Sequence, residues 1–131
     1  MAGEIPGRII WSDDVCLAMV DIRPLHPGHT LVIPRQEVDQ WIDLDPATVQ
    51  HLMAVAQHIG MAQRLTIPCR RIGLMIAGFE VPHTHLHVVP MSSMANLDFA
   101  NADANASAAD LDAVAERLRQ ALRDKGHDYV P

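Results

Sequence analysis

Short apolar runs separated by turn-forming residues fill the first quarter of the sequence. Residues 8–11, 15–20 and 29–33 carry β-branched, aromatic and other apolar side chains. The run Ser12-Asp13-Asp14 between the first two has turn chemistry, and Pro34 stops the third. The short intervals between these runs predict three strands in an antiparallel meander.

A helical spacing of apolar residues comes next. Asp45 is placed as an N-cap and Pro46 as the first helical residue, which predicts a helix running to about Leu65. Its apolar stripe comprises Val49, Leu52, Met53, Ala56, Ile59 and Gly60. Two further strands are predicted over residues 70–77 and 83–89.

The last third of the chain predicts a loop and a second helix. Residues 91–106 show no periodicity, whereas Ser107 with Asp110 resembles a capping box. An apolar stripe follows, formed by Leu111, Val114, Ala115, Leu118 and Leu122, and Gly126 fits a C-terminal cap. We find no repeat and no internal boundary. The prediction is an α+β fold with an antiparallel sheet of about five strands, one long packed helix and a C-terminal helix, in a single domain over residues 1–131.

Composition narrows the class of protein. The 131 residues are 49% hydrophobic with a formal net charge of −6, which argues against disorder and against a stable nucleic-acid complex. No apolar run approaches the roughly 20 residues that a membrane helix needs, and the N-terminal residues lack a signal-peptide pattern. Cys16 and Cys69 make no disulfide framework. We expect a cytoplasmic protein without membrane contact.

Candidate chemistry concentrates in the triad, defined as His83, His85 and His87. Because side chains alternate along a strand, the three imidazoles are expected on one face, with successive Cα atoms roughly 6.5–7 Å apart. Such a row of imidazoles can hold a metal ion, or it can perform phosphoryl chemistry in which one ring attacks phosphorus and its neighbours bind phosphate oxygens. Spacing alone leaves both readings open.

Two segments resemble the histidine triad (HIT) superfamily. Residues 83–89, His-Thr-His-Leu-His-Val-Val, match its His-φ-His-φ-His-φ-φ signature apart from Thr84, and residues 21–34, DIRPLHPGHTLVIP, match a second conserved segment. Glu4-Ile5-Pro6 followed by Arg8-Ile9-Ile10 is similar to the start of Hint-branch members. Together these segments cover most of residues 3–90, and the part after Met91 matches less distinctly.

The resemblance implies a hydrolase or transferase that acts at the α-phosphate of a nucleotide. On the matching positions, His85 would be the nucleophile that forms a covalent nucleotidyl-histidine, and His87 would contact the phosphate. His83 would arrange the cluster together with His29, and Asp21 would bind the ribose hydroxyls. The apolar positions that would line the base pocket are Ile5, Met19, Ile22 and Leu31.

The sequence also departs from the family pattern. Glu37 stands where many Hint-type members carry a zinc-binding histidine, and no C-x-x-C is present, so we expect no structural zinc and no cofactor. Phe79 and Glu80 replace the usual phosphate-contacting Gln and Ser before the triad. Glu80, placed beside the substrate, has two interpretations. In the structural one it caps the turn before Pro82 or pairs with an exposed Arg, and in the functional one it donates a proton to the leaving group. The remaining histidines, His26, His51, His58 and His127, receive no role, and His51 and His58 are expected at exposed helix positions.

The favoured function is hydrolysis of a nucleoside phosphoramidate or nucleotidyl ester, with a purine nucleotide such as an AMP conjugate as substrate. Cleavage of dinucleoside polyphosphates is the alternative within the same class. A nucleotide-binding module with little turnover and a divalent-metal enzyme built on the triad are the alternatives from other classes. The resemblance and the small core of the chain also predict a homodimer.

Overall fold

Five antiparallel strands and two α-helices make up most of the regular structure of this computed structural model, which describes residues 7–79 and 81–131. The strands are β1 (Arg8–Ser12), β2 (Cys16–Val20), β3 (Thr30–Pro34), β4 (Arg71–Ile76) and β5 (Leu86–Met91). The helices are α1 (Pro46–Thr66) and α2 (Ala108–Asp124). Short 3-10 helices span Trp41–Asp43, Met94–Leu97 and Phe99–Asn101. The predicted α+β fold is confirmed.

The sheet has the order β1-β2-β3-β5-β4, with every neighbouring pair antiparallel. The predicted meander of the first three strands is therefore confirmed. The last predicted strand begins at Leu86 and not at His83, so its first three residues lie outside the sheet. The physical reason is that the backbone N–H of Thr84 and its hydroxyl both donate to Val38 O, at 2.7 and 2.8 Å, in place of a ladder bond.

The two helices begin and end close to their predicted limits. Asp45 occupies the N-cap of α1 and Pro46 its first turn, but the Asp45 side chain makes no capping hydrogen bond. At α2, the Ser107 side chain accepts the backbone N–H of Asp110, so this half of the predicted box is confirmed. The predicted loop over residues 91–106 contains two of the short 3-10 helices.

Both α-helices pack against one face of the sheet and against each other. Even-numbered residues of β3 and β5 point to this face, and the hydrophobic core lies between it and the helices. Its members from the sheet include Ile10, Val20, Val32, Leu86 and Val88. The apolar stripes of the helices contribute Leu52, Ile59, Leu118 and Leu122. Cys16 is fully buried in this core, as expected of a small apolar residue. No helix among the described residues is long and apolar enough to cross a membrane.

The opposite face of the sheet carries a second row of side chains. Cross-strand pairing joins Ile9 to Met19, Met19 to Leu31, Leu31 to His87 and His87 to Met75. Because directly paired residues of an antiparallel sheet share a face, these side chains form one continuous floor. We call it the site face, since it contains the one triad residue that belongs to a strand.

The turn that leads into β3 is fixed by a glycine conformation and by hydrogen bonds from α1. Gly28 has a φ of +91°, and a Cβ there would lie 2.0 Å from the Ile67 side chain, so only glycine fits. The amide of the fully buried Gln63 on α1 donates to Gly28 O and to Val88 O, each at 2.9 Å. This bridge fixes the position of the adjacent His29 relative to β5.

Candidate active site

A buried pair of imidazoles lies at the centre of the site face. His29 Nε2 and His87 Nδ1 are 2.9 Å apart, and the two residues are 0% and 5% exposed. His29 directly precedes β3, and His87 is the second residue of β5. Because β3 and β5 are hydrogen-bonded neighbours, residues separated by 58 positions in sequence meet here.

The partners of this pair determine which nitrogen carries each proton. The backbone N–H of Leu25 donates to His29 Nδ1 at 3.0 Å, so that nitrogen must have a free lone pair. A neutral His29 then carries its proton on Nε2 and donates it to His87 Nδ1. His87 in turn must carry its own proton on Nε2, which makes Nε2 a donor available to a ligand.

Both rings stay neutral near pH 7. Burial lowers the pKa of His29 to about 4, with a smaller contribution from the nearby His85. Burial also lowers the pKa of His87 to about 4, reinforced by His29 and His85 and opposed by the carboxylate of Asp21. The tautomers of His29 and His87 that were deduced from the hydrogen bonds are therefore the ones present at physiological pH.

His85 is oriented by the backbone next to it. Its Nδ1 lies 2.7 Å from His83 O, and because a carbonyl can only accept, Nδ1 carries the proton. The lone pair of a neutral His85 is then on Nε2, for which no hydrogen-bond partner occurs in the described part of the chain. The half-buried ring meets the His87 ring edge-on, with centroids 4.8 Å apart. This arrangement places an imidazole lone pair next to an N–H donor.

His83 does not join the row that strand alternation predicts. Its Nε2 donates to Pro34 O at 2.7 Å, while its backbone N–H donates to Val81 O at 2.8 Å. The expectation of three imidazoles on one face of a strand is therefore wrong, because only His87 lies in β5. His83 instead supplies the carbonyl that orients His85.

The predicted ribose-binding residue lies beside this centre, and two of the predicted base-lining residues belong to the site face. Asp21 Oδ2 is 3.6 Å from His29 Nε2, and Asp21 Oδ1 accepts the backbone N–H of Arg23 at 2.9 Å. Met19 and Leu31 belong to the floor of the site face, whereas Ile22 is 62% exposed in the loop after Asp21. Of the other predicted site residues, Ile5 and Glu80 lie outside the described residues.

Three residues beside the centre have no role in the sequence analysis. Leu25 contributes the N–H that fixes His29, and its carbonyl accepts the side-chain amide of Asn96 at 3.1 Å. The Phe99 ring meets the His87 ring edge-on, with centroids 5.1 Å apart. Asn96 and Phe99 come from the aperiodic segment read as a loop, where no pattern in the sequence indicates such contacts.

A second polar cluster lies away from the site face, and it corrects the expectation for two histidines. His51 donates to Asp13 at 2.7 Å, and His58 stacks on Trp11 with ring centroids 5.8 Å apart. The His127 ring lies 4.4 Å from the His58 ring. His51 and His58 are thus half-buried and partnered residues, and neither is simply an exposed helix position.

Two groups of described residues bring three potential metal ligands within 4.8 Å of one another. The first is Asp21, His29 and His87, where binding an ion would break the hydrogen bond between the two imidazoles. The second is Asp13, Cys16 and His51, where burial raises the pKa of the Cys16 thiol to about 12. A metal ion bound at this second group would have to displace the thiol proton.

The HIT domain family model matches residues 2–94. The chain belongs to the HIT family. A HIT-like protein of Mycobacterium tuberculosis is 35% identical over 127 residues, which cover 93% of this chain and 88% of the relative. The crystal structure of a zinc-bound histidine triad family protein from Mycobacterium smegmatis superposes with a TM-score of 0.78 at 32% identity, covering 94% of this chain and 88% of the other. The fold is therefore the HIT fold.

A relative with a named activity is the bifunctional bis(5′-adenosyl)-triphosphatase/adenylylsulfatase FHIT of Arabidopsis thaliana. It is 33% identical over 90 residues, which cover 65% of this chain and 50% of that protein. The HIT family thus includes hydrolases of nucleotide substrates. Both the triad and the segment around His29 lie within the residues that the family model matches, whereas Asn96 and Phe99 lie beyond them.

Proposed function

We propose that the protein is a nucleotide hydrolase that acts at the α-phosphate of a nucleoside phosphoramidate or nucleotidyl ester through a covalent nucleotidyl-His85. The observation that carries this proposal is the hydrogen bond from His85 Nδ1 to His83 O. That bond directs the proton to Nδ1 and leaves the lone pair on Nε2, the nitrogen that can attack phosphorus.

The reaction takes two steps. The Nε2 lone pair of His85 attacks the α-phosphorus. The bond from phosphorus to the amine nitrogen or alcohol oxygen of the leaving group then breaks, and that group keeps the electron pair and takes up a proton. Water then attacks phosphorus, the bond to Nε2 breaks, and a nucleoside monophosphate leaves while the water proton passes to solvent. Splitting one displacement into two lowers the barrier of each step.

His87 and His29 have separate roles in this proposal. The N–H at His87 Nε2 faces outward from the buried pair and can donate to a non-bridging phosphate oxygen, whose charge increases in the transition state. His29 is a positioning residue, since it holds the His87 ring and its tautomer through the 2.9 Å bond. In this proposal Asp21, whose Oδ2 lies 3.6 Å from His29 Nε2, accepts hydrogen bonds from the ribose hydroxyls.

The alternative substrate is a dinucleoside polyphosphate. The activity named for the Arabidopsis relative, a bis(5′-adenosyl)-triphosphatase, favours this candidate. The chemistry at His85 would be the same, with a nucleotide as the leaving group in place of an amine. Glu80, the predicted proton donor, would matter for an amine and much less for a phosphate leaving group, which departs without protonation.

Rapid mixing followed by intact-mass measurement tests the proposal. Wild type mixed with adenosine 5′-phosphoramidate is expected to gain the mass of an adenylyl group, and His85→Ala is expected to gain none. Diadenosine triphosphate, used in parallel, identifies the preferred leaving group. A wild type that binds AMP but neither forms the adduct nor turns over either substrate would be a binding module. Activity lost with EDTA and restored by zinc or manganese would support the metal alternative.

We also propose that a second copy of the chain covers the groove between α1 and β4. β4 is an edge of the described sheet, and edge strands expose unpaired backbone groups. The groove has a volume of about 680 Å³, and the residues around it include Met53, Gln57, Met61, Arg64, Ile72 and Leu74. Met53, Met61 and Leu74 are 45%, 41% and 40% exposed, so an apolar patch lies beside a free strand edge.

Light scattering coupled to size-exclusion chromatography tests the dimer. Wild type is expected to elute as a dimer, and Leu74→Glu as a monomer, because a carboxylate would be buried at the interface. Ile42→Glu is the matched control, since Ile42 is 65% exposed and lies outside the groove. A monomeric wild type, or a dimeric Leu74→Glu, would contradict this assignment.

A cytoplasmic location stays a prediction, supported by the two free cysteines, Cys16 and Cys69.

A further inference from the structure

The segment after β5 crosses the site face. A Cβ on Gly73 would lie 3.2 Å from a methyl carbon of Leu97, so Leu97 packs directly on the sheet at that position. Gly73 is two residues from Met75 on β4 and therefore points to the same face as the paired His87. The residues that follow β5 consequently form a wall above the floor on which the proposed substrate lies.

This wall is fastened to the loop that carries Asp21. The Asn96 side-chain amide donates to Leu25 O at 3.1 Å, and the backbone N–H of Asp103 donates to Pro24 O at 3.0 Å. The Asp98 side chain caps the short helix Phe99–Asn101 by accepting the N–H of Ala100. Phe99 is therefore presented from a tethered turn, adjacent to the loop over residues 21–28.

The Phe99 ring contacts the His87 ring, and the residue nevertheless stays partly exposed to solvent. It meets the His87 ring at 66° with centroids 5.1 Å apart, yet the residue remains 48% exposed. Contact with His87 alone would not require so large an apolar side chain at the rim of a polar site. An exposed aromatic ring beside a binding floor gains free energy when a planar ligand covers it.

The direction of the substrate decides which part of it meets Phe99. β3 and β5 are antiparallel, so His85 lies beyond the pair Leu86–Val32, whereas His29 and the Asp21 loop lie at the opposite end of the β3–β5 ladder. With phosphorus at His85 and ribose at Asp21, the nucleoside extends toward the loop to which the wall is tied. Phe99 therefore flanks the nucleoside half of the substrate and not the leaving group.

We propose that Phe99 is a nucleobase-contacting residue, which stacks on the purine of the bound nucleotide and makes the site discriminate nucleotides from simple sugar phosphates. This inference rests on the proposed function for the orientation of the ligand. Stacking explains why a ring from beyond the matched family segment is held against His87 while the residue stays 48% exposed. It predicts a contribution that depends on the presence of a base.

Binding of two ligands that differ only by the base tests the inference. Isothermal titration of AMP and of ribose 5-phosphate is performed with wild type, Phe99→Ala, Phe99→Leu and Phe99→Tyr. Phe99→Ala is expected to weaken AMP binding about tenfold, within the range measured for base–aromatic stacking, and to leave ribose 5-phosphate binding unchanged. Phe99→Tyr should retain the affinity for AMP, and Phe99→Leu should lose most of the base-dependent part.

The controls separate stacking from a merely structural role. Trp41→Ala removes an aromatic side chain of similar exposure, 45%, from a 3-10 helix that contributes no residue to the proposed site, and should bind both ligands like wild type. Equal losses for both ligands in Phe99→Ala would mean that the ring only positions His87, and would overturn the inference. Wild-type AMP affinity in Phe99→Ala, or a wild type that binds both ligands equally or neither, would overturn it as well.

The binding readout is independent of hydrolysis. A wild type that binds AMP without turning over any conjugate would refute the proposed enzymatic activity. The role of Phe99 would still be supported or refuted by the comparison of AMP and ribose 5-phosphate binding in its variants. Phe99→Leu keeps apolar volume at the wall, so it answers the question even where Phe99→Ala fails to fold. Thermal melting of each variant reports which of the two applies.

Discussion

Two polar clusters of this protein both combine an aspartate with histidine, but they differ in which group is buried at the centre. The site cluster comprises Asp21, His29, His85 and His87, and two imidazoles form its buried centre. The Asp13 cluster comprises Asp13, Trp11, Cys16 and His51, and a carboxylate forms its centre. Asp13 Oδ1 accepts two backbone N–H groups at 2.8 Å, and Oδ2 accepts the Trp11 and His51 N–H groups at 2.8 and 2.7 Å.

The difference lies in which polar atoms are left for a ligand. Burial opposes ionisation of Asp13, yet the hydrogen bonds from Trp11, the backbone and His51 together lower its pKa to about 2, and both of its oxygens are used internally. In the site cluster, Nε2 of His85 and Nε2 of His87 have no partner among residues 7–79 and 81–131. A cluster whose bonds are all internal can stabilise a fold, whereas one with an oriented lone pair beside a donor can perform chemistry.

Replacing one imidazole in each cluster gives the largest expected contrast. His85→Ala removes the proposed nucleophile and should lower kcat by roughly 10³-fold or more, with a melting temperature near that of wild type. His51→Ala should leave kcat unchanged and lower the melting temperature, because it removes a partner of a buried carboxylate. Steady-state kinetics with adenosine 5′-phosphoramidate and thermal melting measure both. A fully active His85→Ala would remove the distinction between the clusters.

Removal of the central carboxylate tests the structural assignment of the Asp13 cluster. Asp13→Ala leaves the buried Trp11 N–H and two backbone N–H groups without an acceptor, and should lower the free energy of unfolding by roughly 3–5 kcal/mol. Urea unfolding measures the change. Asp14→Ala is the matched control, since Asp14 is an exposed neighbour in the same turn and should change stability little. Equal stability of the two variants would contradict the assignment.

The sequence predicts much of this fold because local patterns determine most of it. Apolar alternation and turn residues predict the strands, and Pro46 and Ser107 mark the helix starts found in the structure. Such patterns cannot predict which ring nitrogen of each histidine carries the proton, because this depends on contacts between distant parts of the chain. Leu25 N–H, His83 O and Pro34 O direct the imidazoles, and backbone groups carry no residue-specific signal. The position of Phe99 beside His87 cannot be predicted from the sequence either, since its segment has no periodicity.

The pH dependence of stability separates the two clusters. His29 and His87 have pKa values near 4 in the folded protein against an ordinary value of 6.5, so the unfolded chain binds more protons between these limits. Stability should therefore fall as pH decreases from about 6.5 to 4, by about 3 kcal/mol for one such imidazole. Asp13 stabilises the fold above its ordinary pKa of 3.8 and loses that contribution as pH falls toward 2.

Urea unfolding at a series of pH values detects both losses. His29→Gln should flatten the fall between pH 6.5 and 4 and leave the fall below pH 3.8, while Asp13→Asn should do the reverse. Because the two imidazoles are hydrogen-bonded to each other, His29→Gln should also diminish the part due to His87. A pH profile in the His29 variant that matches wild type would place the titrating groups elsewhere in the protein.

The smallest expected effect concerns Asp21, the carboxylate at the edge of the site cluster. Unlike Asp13, it leaves one oxygen open: Oδ1 accepts the Arg23 N–H, while Oδ2 lies 3.6 Å from His29 Nε2, too far for a hydrogen bond. Asp21→Ala should lower kcat/KM for a ribonucleotide conjugate by about 10- to 150-fold, corresponding to roughly 1.5–3 kcal/mol for a charge-assisted bond. The 2′-deoxy conjugate should lose less, because it already lacks one hydroxyl, so the ratio of ribo to deoxyribo activity should fall. Asp21→Asn, which keeps one acceptor oxygen, should lie between. An undiminished ratio in Asp21→Ala would show that the ribose is recognised by other groups.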